Sequence, residues 1–206
     1  MAHGDDKGLK LPPKLAPHQI VIVPIIPNDK DKDSVMTVVN QLNDTLSEFR
    51  VIIDDRSEVS PGFKFNEWEQ KGVPLRVEVG PKDIEKNTIL VSRRDDESKN
   101  SYPMDDVQNT IKKLLDEIQD NLYKNSENTL KENTTHVESF SELIEVLNSK
   151  KGFVSCFWKE NKEDELKIKE ETSATLRCYP LENTDSEKAV NSDSENGNFA
   201  IFSKAY

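Results

Sequence analysis

Apolar positions along this chain change period several times, and each change marks an element. Gln19–Ile26 is a continuous Ile/Val run closed by Pro24 and Pro27, which predicts a buried strand. Val35, Val38, Val39, Leu42, Leu46 and Phe49 then recur at three- and four-residue steps. That spacing predicts a helix with one apolar face, capped by Asp33 or Ser34. Val51–Ile53 reads as a short second strand. A strand–helix–strand order of this length suggests a right-handed parallel crossover. Pro61 suits a first helical position, because it lacks the N–H that would be left without a partner there. Phe65, Trp68 and Lys64 follow at helical spacing, and Gly72 can stop the helix in the left-handed conformation. From Pro74 to Val79, Leu75, Val77 and Val79 alternate with Arg76 and Glu78, so one face is buried and one is polar. Glu69, Arg76, Lys82 and Asp83 are thereby expected close together at one end of a helix–strand unit.

Thr88–Arg93 predicts another strand, and Pro103 to about Lys124 a long amphipathic helix striped by Val107, Ile111, Leu114, Ile118 and Leu122. Thr129–Thr135 is polar and reads as a junction. Beyond it, Ser139 and Glu142 have capping-box spacing ahead of Phe140, Leu143, Ile144 and Leu147. Gly152–Trp158, Ala174–Tyr179 and Asn198–Ser203 have strand character, and Glu160–Glu171 reads as a charged surface helix. Leu181–Asn198, rich in Ser, Asn, Asp and Glu, is expected to be a mobile loop. Residues 1–16 contain no periodic element and read as a linker. The fold class is therefore α/β: a first domain, 17–128, with a mixed, mostly parallel sheet flanked by helices, and a small α/β domain, 129–206.

Composition narrows the function classes. The chain has 206 residues, 33% of them charged, and a net charge of −11. That balance argues against a general nucleic-acid binder. Its distribution is uneven: residues 60–94 carry 7 basic and 5 acidic groups, a net of +2, and this window alone is positive. No apolar run approaches the roughly 20 residues needed to span a bilayer. The N-terminus lacks the pattern of a secretory signal. Two cysteines make no disulfide framework, so a reducing, cytoplasmic compartment is expected. No nucleophile–base–orienter set is visible, and no glycine-rich phosphate loop. Phe65, Glu69, Arg76, Lys82 and Asp83 combine an aromatic face with carboxylates and cations. An unstacked base is held by that combination, and an ordinary mixed-charge surface has the same residue types.

Four segments carry a family resemblance. MAHGDDKGLKLPPKLAPHQIVIVPI, SPGFKFNEWEQKGVPLRVEVGPKD, IKEETSATLRC and the final FAIFSKAY, in that order, resemble the C-terminal portion of prolyl-tRNA synthetase of the archaeal and eukaryotic type. The first looks like the exit from the catalytic domain, the second like the anticodon-binding domain, and the last two like the C-terminal domain. The resemblance implies a class II parent enzyme that activates proline with ATP and Mg²⁺ and transfers it to proline tRNA. The parent's ATP-binding motifs are expected before Met1, so this chain alone is expected to be inactive. The family positions that read the two anticodon guanines fall on Glu69, Arg76, Lys82 and Asp83. His3 is implied to line a loop against the parent's active site, and the Tyr206 carboxylate to approach it. The implied partners are proline tRNA and the catalytic domain, with a homodimeric parent and a monomeric fragment.

The resemblance also raises a zinc question. Related synthetases often carry four cysteines in the C-terminal domain, and the corresponding positions here are Lys159, Asp164, Ala189 and Asn191. Cys156 and Cys178 supply two soft ligands where a structural zinc needs four. The expectation is no bound zinc, with both cysteines buried as small apolar residues. Two other readings compete with the synthetase one: a free-standing, non-catalytic anticodon-type module, and the anticodon domain of a threonyl-, histidyl- or glycyl-tRNA synthetase. The HGDDKG leader argues against the first, and the KFNEWEQKGVPLRVEVGPKD run and SKAY end against the second.

Overall fold

The structure, a computed structural model, describes residues 3–181 and 185–204. The chain divides into two compact units, Met1–Ser126 and Glu127–Tyr206.

The first unit opens with an antiparallel hairpin, β1 (Gly4–Asp5) and β2 (Gly8–Leu9), inside the segment expected to hold no element. Then come β3 (Ile20–Pro24), buried throughout, and α1 (Lys32–Thr45), which buries Val35, Val39 and Leu42. Neither Asp33 nor Ser34 caps α1. The N-cap is Asp31, and Ser34 Oγ donates to the Asp31 carbonyl instead. β4 (Val51–Ile53) leads to α2 (Pro61–Lys71), which starts where Ser60 Oγ accepts the Phe63 N–H at 3.3 Å. It stops at Gly72, whose φ of 73° is the left-handed geometry expected there.

β5 (Leu75–Val79), the one-turn helix α3 (Pro81–Glu85), β6 (Thr88–Arg93), β7 (Lys99–Pro103) and α4 (Val107–Glu132) complete the order. Neither α3 nor β7 has an apolar period to announce it. α4 also continues past Lys124, because Asn125–Glu132 contains no breaking residue.

The strand order is β4-β3-β5-β6-β7. β3 runs parallel to β4 and β5, whereas β5/β6 and β6/β7 are antiparallel. The sheet is thus mixed, as expected, but evenly divided where an excess of parallel pairs was anticipated. The cause is the connection after β5: residues 80–87 are too few for a parallel crossover, which takes a dozen or more.

One sheet face buries Ile20, Ile22, Leu75, Val77, Val79, Ile89 and Val91 against α1 and α4. On the other face Val21, Val23 and Val73 meet Trp68 of α2. This second interface is anchored by charge. Asp54 follows β4, and its carboxylate is 2% exposed. It accepts two hydrogen bonds from Arg56, at 2.8 and 2.7 Å, and one from Trp68 Nε1 at 2.8 Å. Lys64 Nζ, also buried, donates to the Asp54 carbonyl at 3.0 Å. Arg56 reaches onward to Glu67 at 2.6 Å. One aspartate thereby ties Lys64 and Trp68 of α2 to the end of β4.

The second unit contains β8 (Thr134–His136), α5 (Phe140–Ser149), β9 (Phe153–Trp158), α6 (Lys162–Thr172), β10 (Ala174–Cys178), β11 (Ser186–Lys188) and β12 (Asn196–Lys204). Its strand order is β10-β12-β9-β8, with β11 also on β12. Leu143 and Leu147 of α5 and Ile168 of α6 pack on Val154, Cys156, Trp158, Ala200 and Phe202. β8 starts inside the expected polar junction and ends one residue past it. β11 and buried Ala189 lie inside the stretch expected as a mobile loop; residues 182–184 of that stretch are outside the described residues. Cys156 is buried as expected, and burial pushes its thiol up to about 12. Cys178 is exposed, contrary to expectation. The β10/β12 register shifts between Leu176 and Cys178, and the bulge takes Cys178 out of the core-facing alternation.

Hydrogen bonds from Arg56 hold the Asp54 carboxyl down to about 2, against an ordinary 3.8, with Trp68 assisting and burial opposing. Because the folded-state value is the lower one, this stabilisation is complete above about pH 4 and is lost as pH falls from there to about 2. Asp54→Asn should flatten that part of the pH–stability curve. Asp54→Ala, which strands Lys64 in the interior, should cost about 3–5 kcal/mol in urea unfolding.

Candidate nucleic-acid interface

β5 builds the site by its alternation. Its odd positions fill the core under α1 and α4, so Arg76 and Glu78 face α2. Strand register places Val21, Arg76, Ser92 and Lys99 in one row across β3, β5, β6 and β7. The predicted polar face of β5 therefore exists, but it is covered: Arg76 is 8% exposed and Glu78 5%.

Burial at that level requires partners, and Arg76 has them. Nε donates to Glu78 Oε1 at 3.2 Å, one terminal nitrogen to Glu69 Oε1 at 3.1 Å, and the other to Ser92 Oγ at 3.3 Å. The Phe65 ring lies 4.1 Å from the guanidinium carbon, a cation–π arrangement. A guanidinium has five N–H donors. These three bonds leave one N–H on each terminal nitrogen for a ligand to form a fork with. Lys99 Nζ bonds Glu78 Oε2 at 2.9 Å.

Beside this cluster is a small cleft of about 140 Å³, lined by Lys7, Glu69, Arg76, Arg93, Glu97 and Lys99 among others. Its far wall is the β1–β2 hairpin, held by a buried cation. Arg94 donates to both oxygens of Asp5, at 2.9 and 2.6 Å, to the Gly8 carbonyl at 3.2 Å and to the Glu69 carbonyl at 3.1 Å. The Asp5 carboxyl is consequently held well below the usual carboxylate range, chiefly by Arg94. A side chain at Gly8 would strike the Gln70 backbone, with a Cβ 2.4 Å from Gln70 Cα, so the hairpin seats against α2 only with glycine there. Lys7 pairs with Glu97 at the cleft edge.

The structure therefore brings Phe65, Glu69 and Arg76 together, whereas Lys82 and Asp83 stand on α3 with no contact to them among those of the described residues. β5 ends at Val79, and both residues lie past it on α3. Asp83 Oδ2 accepts the Gly80 N–H at 2.9 Å and caps that helix. Lys82 is exposed. Among the described residues of 60–94, every cation except Lys82 and Lys86 is in an ion pair, so the positive window is neutralised over most of its extent. His3 is half-buried, and its carbonyl accepts the Lys10 N–H at 3.0 Å. Tyr206 lies outside the described residues.

Four contributors were not read from the sequence: Glu78 and Ser92 as partners of Arg76, Lys99 as partner of Glu78, and Arg94 as the clamp on Asp5. The alternation of β5 already carried the signal for Glu78, which shares the Arg76 face. Ser92 depends on the β5/β6 register, and Lys99 and Arg94 on β7 and on the hairpin, neither of which had a periodic signature.

Lys159, Asp164 and Asn191 converge in the second unit, but not as a metal site. Asn191 Oδ1 accepts the Lys159 N–H at 3.0 Å, and its amide nitrogen donates to the Lys159 carbonyl at 2.9 Å and to Asp164 Oδ2 at 3.0 Å. Ala189 offers no side-chain donor, and its N–H bonds the Glu195 carbonyl. One carboxylate and one amide, already bonded to each other, do not fit the thiolate or imidazole set a structural zinc requires. No group of three or more His, Cys, Asp or Glu suited to a metal occurs among the described residues. Nor is any described helix long and apolar enough to cross a membrane.

Residues 19–114 match the family model described as "Anticodon binding domain", and residues 140–206 the model described as "Prolyl-tRNA synthetase, C-terminal". Curated relatives named Proline–tRNA ligase are similar along the chain. That of Roseiflexus sp. (strain RS-1) is 43% identical over 211 residues, covering 100% of this chain and 44% of the relative. That of Natranaerobius thermophilus is 44% identical over 183 residues, covering 88% and 38%. In Clostridioides difficile (strain 630), Proline–tRNA ligase 2 is 42% identical over 209 residues, covering 100% and 43%. The chain thus spans less than half the length of these relatives. It belongs to the prolyl-tRNA synthetase family, of which it carries an anticodon-binding domain followed by the C-terminal domain.

Replacing Asn191 with Ala removes three hydrogen bonds that tie the segment after β11 to Lys159 and to Asp164 of α6. It should lower second-unit stability by about 1–3 kcal/mol, with amide exchange at Lys159 accelerating most.

Proposed function

We propose that this chain is the tRNA-identifying part of a proline–tRNA ligase, and that its cleft between α2, β5 and the β1–β2 hairpin reads an anticodon guanine. The observation carrying this reading is the free donor fork of Arg76, fixed by Phe65 and by the Glu69 bond. Guanine offers O6 and N7 as acceptors on one edge and N1–H and N2–H donors on another. Arg76 suits the first edge and the Glu69 carboxylate, one-third exposed, suits the second. Lys82 and Asp83 form a second seat beyond β5, where Lys82 is unpaired among the described residues and Asp83 Oδ1 remains free. Two seats following one another along β5 and α3 suit two guanines splayed out of their stack, as in single-stranded RNA recognition.

In the complete enzyme, ATP and Mg²⁺ serve proline activation in the catalytic domain, which with proline tRNA is the partner of this chain. By the family resemblance, His3 lines a loop that faces that domain's active site. The reading extends to a cytoplasmic, homodimeric parent, a monomeric, inactive 206-residue chain divided into linker 1–16 and domains 17–128 and 129–206, and a zinc-free C-terminal domain. The second reading, a free-standing anticodon-type module, uses the same cleft without aminoacylation.

The complete enzyme carrying Arg76→Ala or Glu69→Ala tests the proposal. Aminoacylation efficiency should fall through the tRNA by about 1–3 kcal/mol per lost contact, while proline-dependent ATP–pyrophosphate exchange stays at the wild-type rate. Equal damage to both reactions would contradict it.

A further inference from the structure

We infer that Glu78 is a positioning residue for base readout: it aims the Arg76 fork into the cleft without itself touching RNA. The inference rests on the reading of the cleft proposed above. Three observations support it. Glu78 is nearly inaccessible, with a side chain 7% exposed, so a base cannot reach it. Both its oxygens are committed: Oε1 to Arg76 Nε at 3.2 Å and to Ser92 Oγ at 3.5 Å, Oε2 to Lys99 Nζ at 2.9 Å. It also holds the one Arg76 nitrogen that cannot contribute to a terminal fork. With Nε fixed and the ring of Phe65 against it, the guanidinium is held in one in-plane orientation, which sets where its two remaining donors point.

The chemistry distinguishes Glu78 from Glu69. Glu69 bonds one terminal nitrogen from the cleft rim and is one-third exposed, as a group that also meets ligand must be. Glu78 sits beneath, on the strand itself, where neighbouring backbone fixes its position. Removing it leaves Nε without an acceptor and frees Lys99. Arg76 then turns toward Glu69 or Ser92, and fork geometry is lost while the positive charge stays. Guanine discrimination falls, but attraction to RNA in general does not.

The test is binding of this chain to two RNA stem-loops, one with the proline anticodon and one with its two guanines replaced by adenines, at one salt concentration. Wild-type chain should prefer the guanine loop by about tenfold or more. Glu78→Ala should abolish most of that preference, with affinity for the adenine loop unchanged within about twofold. Glu78→Gln preserves shape and should keep the fold if Glu78→Ala does not. Its amide presents one donor where Glu78 had only acceptors, and the clash with Arg76 Nε or Lys99 should give an intermediate preference. Thermal unfolding of each variant, run in parallel, separates a general loss of structure from a loss of aim. A folded Glu78→Ala with wild-type preference overturns the inference, as does full preference in Glu78→Gln when Glu78→Ala is unfolded. Wild-type chain with no preference overturns the reading of the cleft itself, and the role of Glu78 with it.

Discussion

A carboxylate buried without water must be met by donors, and the first unit is arranged around one such carboxylate. Asp54 collects Arg56 and Trp68 on its oxygens and Lys64 on its carbonyl. Lys64 and Trp68 are four residues apart on α2, so they share one stripe of that helix. Fixing this stripe fixes the helix's rotation. The adjacent stripe, Phe65 and Glu69, must then face Arg76. The placement of the cleft residues is thus a consequence of an ion cluster at the other edge of the same helix.

The cleft follows the same rule. Arg76, Arg94 and Glu78 are buried charges, and each is paired in more than one direction. Breaking such pairs from one side is costly, which keeps the groups in a single geometry. Rigid donors discriminate between base edges better than mobile ones, because a wrong base leaves them unpaired without relief. The Arg94–Asp5 clamp adds the leader hairpin to this body, so the segment before the sheet is a wall of the cleft.

Much of this was legible in the sequence. The period of Val35–Phe49, the Pro61 start, the Gly72 stop and the alternation of β5 each act through local backbone chemistry, and the elements follow, though α1 ends at Thr45, short of Leu46 and Phe49. The family resemblance picked out Glu69 and Arg76, which the structure joins. What escaped was set by contacts distant in sequence. β7 has no apolar alternation and forms on the free edge of β6. The hairpin of residues 4–9 exists against Arg94, 85 or more residues away. The parallel character of the sheet was overestimated because α3 was not seen as the short return after β5. Cys178 was misplaced because a bulge leaves no mark in the hydrophobic pattern. Lys82 and Asp83, close to Arg76 in sequence, stand past the end of β5 on α3, a helix too short to have an apolar period, and Asp83 caps it.

The central claim is that a self-paired, buried charge network presents a fixed donor fork for guanine. The most direct measurement is titration of the wild-type chain with proline tRNA and with the same tRNA lacking its anticodon guanines, at one fixed salt concentration. The account predicts tighter binding of the native tRNA by about tenfold or more. Equal affinity for the two would contradict it, since the fork would then be a structural ion pair only.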